Sequence, residues 1–178
     1  MSSQPVSRRF FGKYRGVVAQ NMDPYLRGRL LLYVSDVLGP GVPSSWAEPC
    51  VPLAGPTGPP MGVYLVPPIG AGVWVEFEQG DVERPVWVGC RWGSSSDVPT
   101  LASAGLPTSP NLVFQTLGQN ALVISDLPGP TGGIMLKSAT GASIIVNDTG
   151  IYISNGKGAS IVLTGPTVSV NNGALTVM

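Results

Sequence analysis

The sequence predicts an all-β fold, and three observations predict it. Apolar residues recur in short alternating runs, and no stretch gives a convincing amphipathic helix. The 24 glycines and 18 prolines fall between those runs, where strands turn. The last third repeats with a 17-residue period. Ile134-Met135-Leu136-Lys137-Ser138 superposes on Ile151-Tyr152-Ile153-Ser154-Asn155 and on Val168-Ser169-Val170-Asn171-Asn172. The same shift lays Gly156 on Gly173. So much Gly and Pro can signal disorder, but 43% of residues are hydrophobic, which argues for a packed fold.

The composition breaks near residue 93. All four tryptophans and eight of the ten Lys and Arg residues precede it. Residues 112–178 carry four charged side chains, Asp126, Lys137, Asp148 and Lys157. Between the two parts lies a Ser-, Ala-, Gly- and Pro-rich stretch with the composition of a linker. The expected organisation is an N-terminal arm (1–9), an OB-fold domain (10–92), a linker (93–111) and a repetitive β segment (112–178).

The front part reads as a small barrel. Its strand candidates are 14–20, 29–35, 72–78 and 85–90, with a weaker one at 50–53. In residues 72–78, Val73, Val75 and Phe77 share one face, and Trp74, Glu76 and Glu78 share the other. Gln79-Gly80-Asp81 supplies the following turn. Five short strands with one long connection suit a Greek-key barrel of the OB type. That connection, residues 36–62 with seven prolines, is expected to be an ordered surface loop outside the core.

The back part is more regular. Leu112-Val113-Phe114-Gln115-Thr116 matches Ile134–Ser138 at a shift of 22, with five extra residues placed in the loop 127–133. Every second residue is aliphatic: Ile134 and Leu136, Ile144 and Val146, Ile151 and Ile153, Ile161 and Leu163, Val168 and Val170, Leu175 and Val177. Strand side chains alternate faces, so these point to one side, with Lys137, Ser154, Asn171 and the turns toward water. A strand repeat this short cannot bury its apolar face alone. Periodicity leaves two arrangements open: a single-chain solenoid with two strands per coil, or an intertwined trimer. The strand pattern runs to Met178 without a polar cap, which calls for a partner.

Several function classes are disfavoured. Net charge is zero, so no basic excess attracts phosphate backbones. No apolar run approaches the ~20 residues of a membrane helix. Residues 1–9 are polar with no signal-peptide core behind them, so synthesis in the cytoplasm without export is expected. There is no histidine, which removes the commonest general base and every Ser-His or Cys-His pair. Cys50 and Cys90 fall short of a zinc site and are read as buried thiols. No cofactor or metal is expected.

Four features are weighed against catalysis or ligand binding. Glu76 and Glu78 form a carboxylate pair of the kind glycosidases use, but same-face neighbours on an exposed strand are read as solvated or interface residues. Arg27, Arg29, Arg84 and Arg91 offer a nucleic-acid face that Asp81 and Glu83 offset. Trp74, Trp87 and Trp92 are read as barrel or subunit-contact residues instead of base-stacking platforms. Gly70-Ala71-Gly72 is no phosphate loop, because a strand follows where a helix is required.

Against this reading stands a resemblance. Tyr14-Arg15-Gly16-Val17-Val18, Asp23-Pro24 and Gly28-Arg29-Leu30 open the pattern. Val66-Pro67-Pro68-Ile69-Gly70-Ala71-Gly72 runs into the strand at 72–77, then come Gln79-Gly80-Asp81 and Arg84-Pro85-Val86-Trp87-Val88-Gly89. A Thr…Gly…aliphatic…Asp run follows, as Thr116–Asp126 and Thr140–Asp148. In this order the motifs resemble the baseplate assembly protein V group of contractile phage tails, its relatives in extracellular injection systems, and the C-terminal portion of the VgrG spikes of type VI secretion. The resemblance covers residues 10–178.

It implies a homotrimer with three OB-folds as a collar and three C-terminal segments wound into one triangular β-helix, or β-prism. The twelve aliphatic residues named above, from Ile134 to Val177, would then be trimer-axis contacts. It also implies a hub protein beneath the collar, a PAAR-type tip protein at the C-terminal end, and transient contact with a target membrane. The chain would be a non-enzymatic spike within an assembled phage tail or injection particle. It would nucleate the baseplate and pierce an envelope when the sheath contracts. Some relatives carry a lysozyme domain at the linker, which at 93–111 is too short to hold one. The alternative is a monomeric OB-fold that binds single-stranded nucleic acid or glycan, with the repeat as a spacer.

Overall fold

A computed structural model describes residues 8–55 and 58–177. Most of the N-terminal arm, residues 1–7, lies outside them, as does Met178. The chain divides into two units, Met1–Ser95 and Ser96–Met178. Nearly all regular structure is β.

The first unit holds β1 (Tyr14–Gln20), β2 (Leu31–Tyr33), β3 (Glu48–Pro49), β4 (Gly72–Phe77) and β5 (Pro85–Arg91). A single helical turn, α1 (Ser35–Leu38), follows β2. The sheet order is β2-β1-β4-β5-β3, and β3 alone pairs in parallel. Its two edges come together at Leu30 and Ala47, whose backbones exchange two hydrogen bonds of 3.1 and 2.8 Å. That contact supplies the closure an OB barrel needs.

The core follows the alternation. Val73 and Val75 are fully buried and Phe77 nearly so, against Val18, Leu30, Leu32, Val34, Ala47 and Trp87. Covering each large side chain contributes roughly 1.5–3 kcal/mol relative to leaving it in water. Trp87 is held in place because its indole N–H donates to the Gly28 carbonyl at 3.1 Å. Phe10, Tyr14 and Phe77 pack edge-on or tilted at one end, with centroids 5.6–6.1 Å apart.

Four expectations are corrected here. The weak strand lies at Glu48–Pro49, two residues before the predicted 50–53, because Pro52 cannot donate to a ladder whereas Cys50 N–H still reaches Trp87 O at 2.9 Å. The long connection does enter the core, through Ala47 and the buried Ser44. Ser44 Oγ accepts from Leu32 N–H and so ties the loop to β2. The second strand is shorter than predicted because Ser35 starts α1. Cys50 and Cys90 are free and exposed, since both sit where the barrel's outer surface meets water.

The second unit is an antiparallel meander. Its strands are β6 (Leu112–Gln115), β7 (Ala121–Ser125), β8 (Gly133–Lys137), β9 (Ser143–Asn147), β10 (Gly150–Ser154), β11 (Ser160–Thr164), β12 (Thr167–Val170) and β13 (Leu175–Val177). Each strand pairs with its sequence neighbours, in the order β13 to β6. A solenoid would pair strands of successive coils, so the single-chain solenoid is not formed.

The register explains the period. Two five-residue strands, one five-residue turn and one two-residue turn make up 17 residues. Between β7 and β8 the two-residue turn becomes a longer loop at 126–132, which gives the 22-residue shift. Gly150 marks the entry to β10. Its φ is +154°, and a Cβ there would lie 2.1 Å from the Leu163 carbonyl oxygen. Residues 99–111 hold local turns, with Asn111 N–H on Ala102 O at 3.1 Å.

Candidate functional site

One face of the eight-stranded sheet carries a run of exposed aliphatic residues. Residues directly opposite each other in a ladder share a face. Ile134 lies opposite Val146, Val146 opposite Ile151, Ile151 opposite Leu163, Leu163 opposite Val168, and Val168 opposite Val177. A second row runs beside it through Leu136, Ile144, Ile153, Ile161, Val170 and Leu175. Leu112 and Ile124 extend the first row, and Phe114 and Leu122 the second. All twelve residues singled out from the sequence therefore lie on one face.

In the single chain that face is open. Nine of the twelve, among them Ile134, Ile153 and Leu175, are 36–60% exposed, and Leu163, Val168 and Val170 are half-buried. Neither row contains a charged residue. A contiguous apolar surface of this kind marks an interaction site.

The opposite face carries Lys137, Ser154 and Asn171, expected toward water, and it is not polar throughout. Between its polar edges runs a third file: Val113, Val123, Met135, Ile145, Tyr152 and Val162. Val123 is buried and the others are half-buried, as are Lys137 and Ser154; Asn171 is exposed. The signal was present in the sequence, as the middle residue of each aliphatic-x-aliphatic triplet.

The sheet's two edges differ. The first row borders the two-residue turns at 148–149 and 165–166 and the loop at 126–132. The second row borders the longer turns at 116–120, 138–142 and 155–159. Beside the turns at 116–120 and 138–142 lies a groove of about 650 Å³, lined by Phe114, Leu122, Leu136, Ile144 and Ile153, with Lys137 and several polar side chains at its margin.

Side chains stitch alternate turns together. Asn120 Oδ1 accepts from Ala139 N–H at 3.1 Å. Asp148 Oδ2 accepts from Gly129 N–H at 3.1 Å, and Asn147 Nδ2 donates to Pro130 O at 3.2 Å. The sequence reading missed these residues; the Asp closing the Thr…Gly…Asp run was their only signal.

In the first unit the weighed residues resolve into surface pairs. Glu76 bonds Lys13 and Glu78 bonds Arg84. Glu78 has left the strand, so the two carboxylates do not form one same-face pair. Arg27 pairs with Glu48 at 2.6 Å, and Arg29 pairs with the buried Asp23. These arginines thus meet carboxylates within the unit; Arg91 is half-buried. Trp87 belongs to the core, Trp74 is half-buried and Trp92 is exposed. Gly70-Ala71 leads into β4, a strand as expected.

A second open apolar patch sits on the loop between β1 and β2. Met22, Tyr25 and Leu26 are all strongly exposed on a loop that Asp23 holds rigid. Among the described residues no helix is long and apolar enough to cross a membrane.

Comparison with curated proteins gives no match. Two family models match the chain. Residues 14–92 match the type VI secretion system/phage-baseplate injector OB domain. Residues 111–176 match the phage baseplate V C-terminal trimerisation domain. An injector OB domain followed by a trimerisation domain, whose sheet leaves an aliphatic face open, places the chain in the phage baseplate V family, as a structural component of a baseplate or injection machine.

Proposed function

We propose that the protein is the central spike of a contractile machine, acting as a homotrimer and without catalysis. Residues 10–92 form the collar, 93–111 the connection and 112–178 the β-prism, with 1–9 as an arm. The twelve residues from Ile134 to Val177 face the three-fold axis. The collar sits on a hub protein at the end of the inner tube, and a PAAR-type tip protein caps the far end. The spike nucleates baseplate assembly and pierces the target envelope when the sheath contracts. The chain is made in the cytoplasm and works within the assembled particle.

The observation that carries this reading is the open, uncharged two-row face on a unit that matches a trimerisation domain. Closing three such faces on one axis removes them from water with no charge to desolvate. The stitched turns add stiffness that a piercing element needs. The arginine–carboxylate pairs of the OB unit argue against oligonucleotide binding. Electron microscopy of particles carrying a tagged chain tests the reading. Label on the central axis below the tube supports it, and label on the sheath or tail fibres contradicts it.

A further inference from the structure

The two rows of the apolar face have different surroundings, and that difference bears on how copies meet. From Phe114 to Ile153 the second row lines the groove of about 650 Å³, beside the turns at 116–120 and 138–142. From β8 to β12 the first row lies along an edge of two-residue turns. One edge therefore carries five-residue turns and a shallow groove, and the other, from β8 to β12, carries two-residue turns. A self-complementary two-fold contact needs one patch that fits itself, whereas a closing ring needs two different patches that fit each other. We infer that the groove of one copy receives the first-row edge of the next, so that Ile151 of one chain packs beside Ile153 of its neighbour around a closed ring. This inference rests on the trimer proposed above and specifies its contact.

The chemistry fits this occupant. Groove floor and inserted edge are both aliphatic, with Leu136, Ile144 and Ile153 on one side and Val146, Ile151 and Leu163 on the other. Lys137 also lines the groove, and Asp148 sits in the two-residue turn beside Val146 and Ile151, so the charges the two edges bring are opposite in sign. Each strand contributes one residue to each row, so successive strands meet the neighbouring chain at successive levels.

Disulfide trapping tests it, because a bridge forms only when Cα atoms come within about 7 Å. Cys50 and Cys90, both exposed, are first replaced by Ser. In that background Ile151→Cys is made in a tagged chain and Ile153→Cys in an untagged one. Each chain then holds a single thiol, so no bridge can form within a chain. The two are refolded separately and together, their masses are read by light scattering, and they are then oxidised. The inference expects tagged–untagged covalent dimers in the mixture and only monomer bands from either variant alone. Covalent dimers from one variant alone would overturn it, as would monomer bands from a mixture whose scattering mass is that of a trimer. A monomer mass for the Cys-free parent chain would instead sink the trimer itself. The pair Val146→Cys and Ile144→Cys reads the same contact one strand away, which keeps the test decisive should one variant fold poorly.

Discussion

Asp23 and Arg29 form a buried ion pair at the base of the loop between β1 and β2. Arg29 donates to Asp23 Oδ1 through Nη2 at 2.7 Å and Nε at 3.0 Å. The same carboxylate accepts the backbone N–H groups of Tyr25, Arg27 and Arg29. Arg29 also stacks against Tyr25 and Trp46, its Cζ 4.6 and 5.4 Å from the ring centroids. One carboxylate thus organises a whole loop.

The Arg29 side chain holds the Asp23 carboxyl well below the ordinary carboxylate range; desolvation opposes this and the three backbone donors reinforce it. A carboxyl depressed on folding contributes its stability in full above its unfolded pKa, about 3.9, and loses it as pH falls below that value. Asp23→Asn is therefore expected to destabilise the chain at neutral pH. The gap to the parent should narrow as pH drops below about 4. Denaturant unfolding of both proteins between neutral and acidic pH checks this, and a gap that stays constant with pH would rule it out.

Leu26 has φ +54° and is 82% exposed, an unusual combination for a branched apolar residue. Strain of this kind persists where a contact needs the side chain. Leu26→Asn is expected to raise stability by roughly 0.5–1 kcal/mol, because Asn tolerates the left-handed region. It should also lower incorporation into particles. A fall in both would mean that Leu26 serves folding alone.

Gly150 has no room for a side chain beside the Leu163 carbonyl. Gly150→Ala should cost more than about 1 kcal/mol, because the native backbone cannot be kept. Thermal unfolding of the purified chain reads this as a lowered midpoint, and an unchanged midpoint would place the turn elsewhere.

Both thiols should react in the folded protein. A native-state titration with a thiol reagent is expected to count Cys50 and Cys90 without denaturant. Cys90 is exposed but partly desolvated by its neighbours, which raises its thiol above its ordinary pKa. In a Cys50→Ser variant, Cys90 should thus react more slowly at mildly alkaline pH than a fully solvated thiol does. A count of zero in the native state would restore the buried reading.

Most of the architecture was legible in the sequence because it rests on local pattern. The alternation of Val73, Val75 and Phe77, and the 17-residue period, each reflect one periodicity acting over a few residues. What was misplaced depends on contacts between distant segments. The third strand follows from Ala47 meeting Leu30, and no local signal in residues 36–62 announces that bridge. The cysteines were misjudged because compartment logic speaks to oxidation and not to depth. The third apolar file was overlooked because the two flanking aliphatic residues dominate the pattern around Met135, Ile145 and Tyr152. Of the site itself, the twelve aliphatic positions were readable, but the groove beside the second row depends on turn length acting in three dimensions.

The central claim is that the aliphatic face is a contact between chains. Its most direct test is the solution mass of the full chain and of Ile153→Asp, by size-exclusion with light scattering. The account predicts three times the 18.4 kDa chain mass for the parent. For the variant it predicts a single chain mass or aggregate, because three carboxylates would crowd one axis at several kcal/mol each. A parent of single-chain mass, or a variant that remains a trimer, would contradict it.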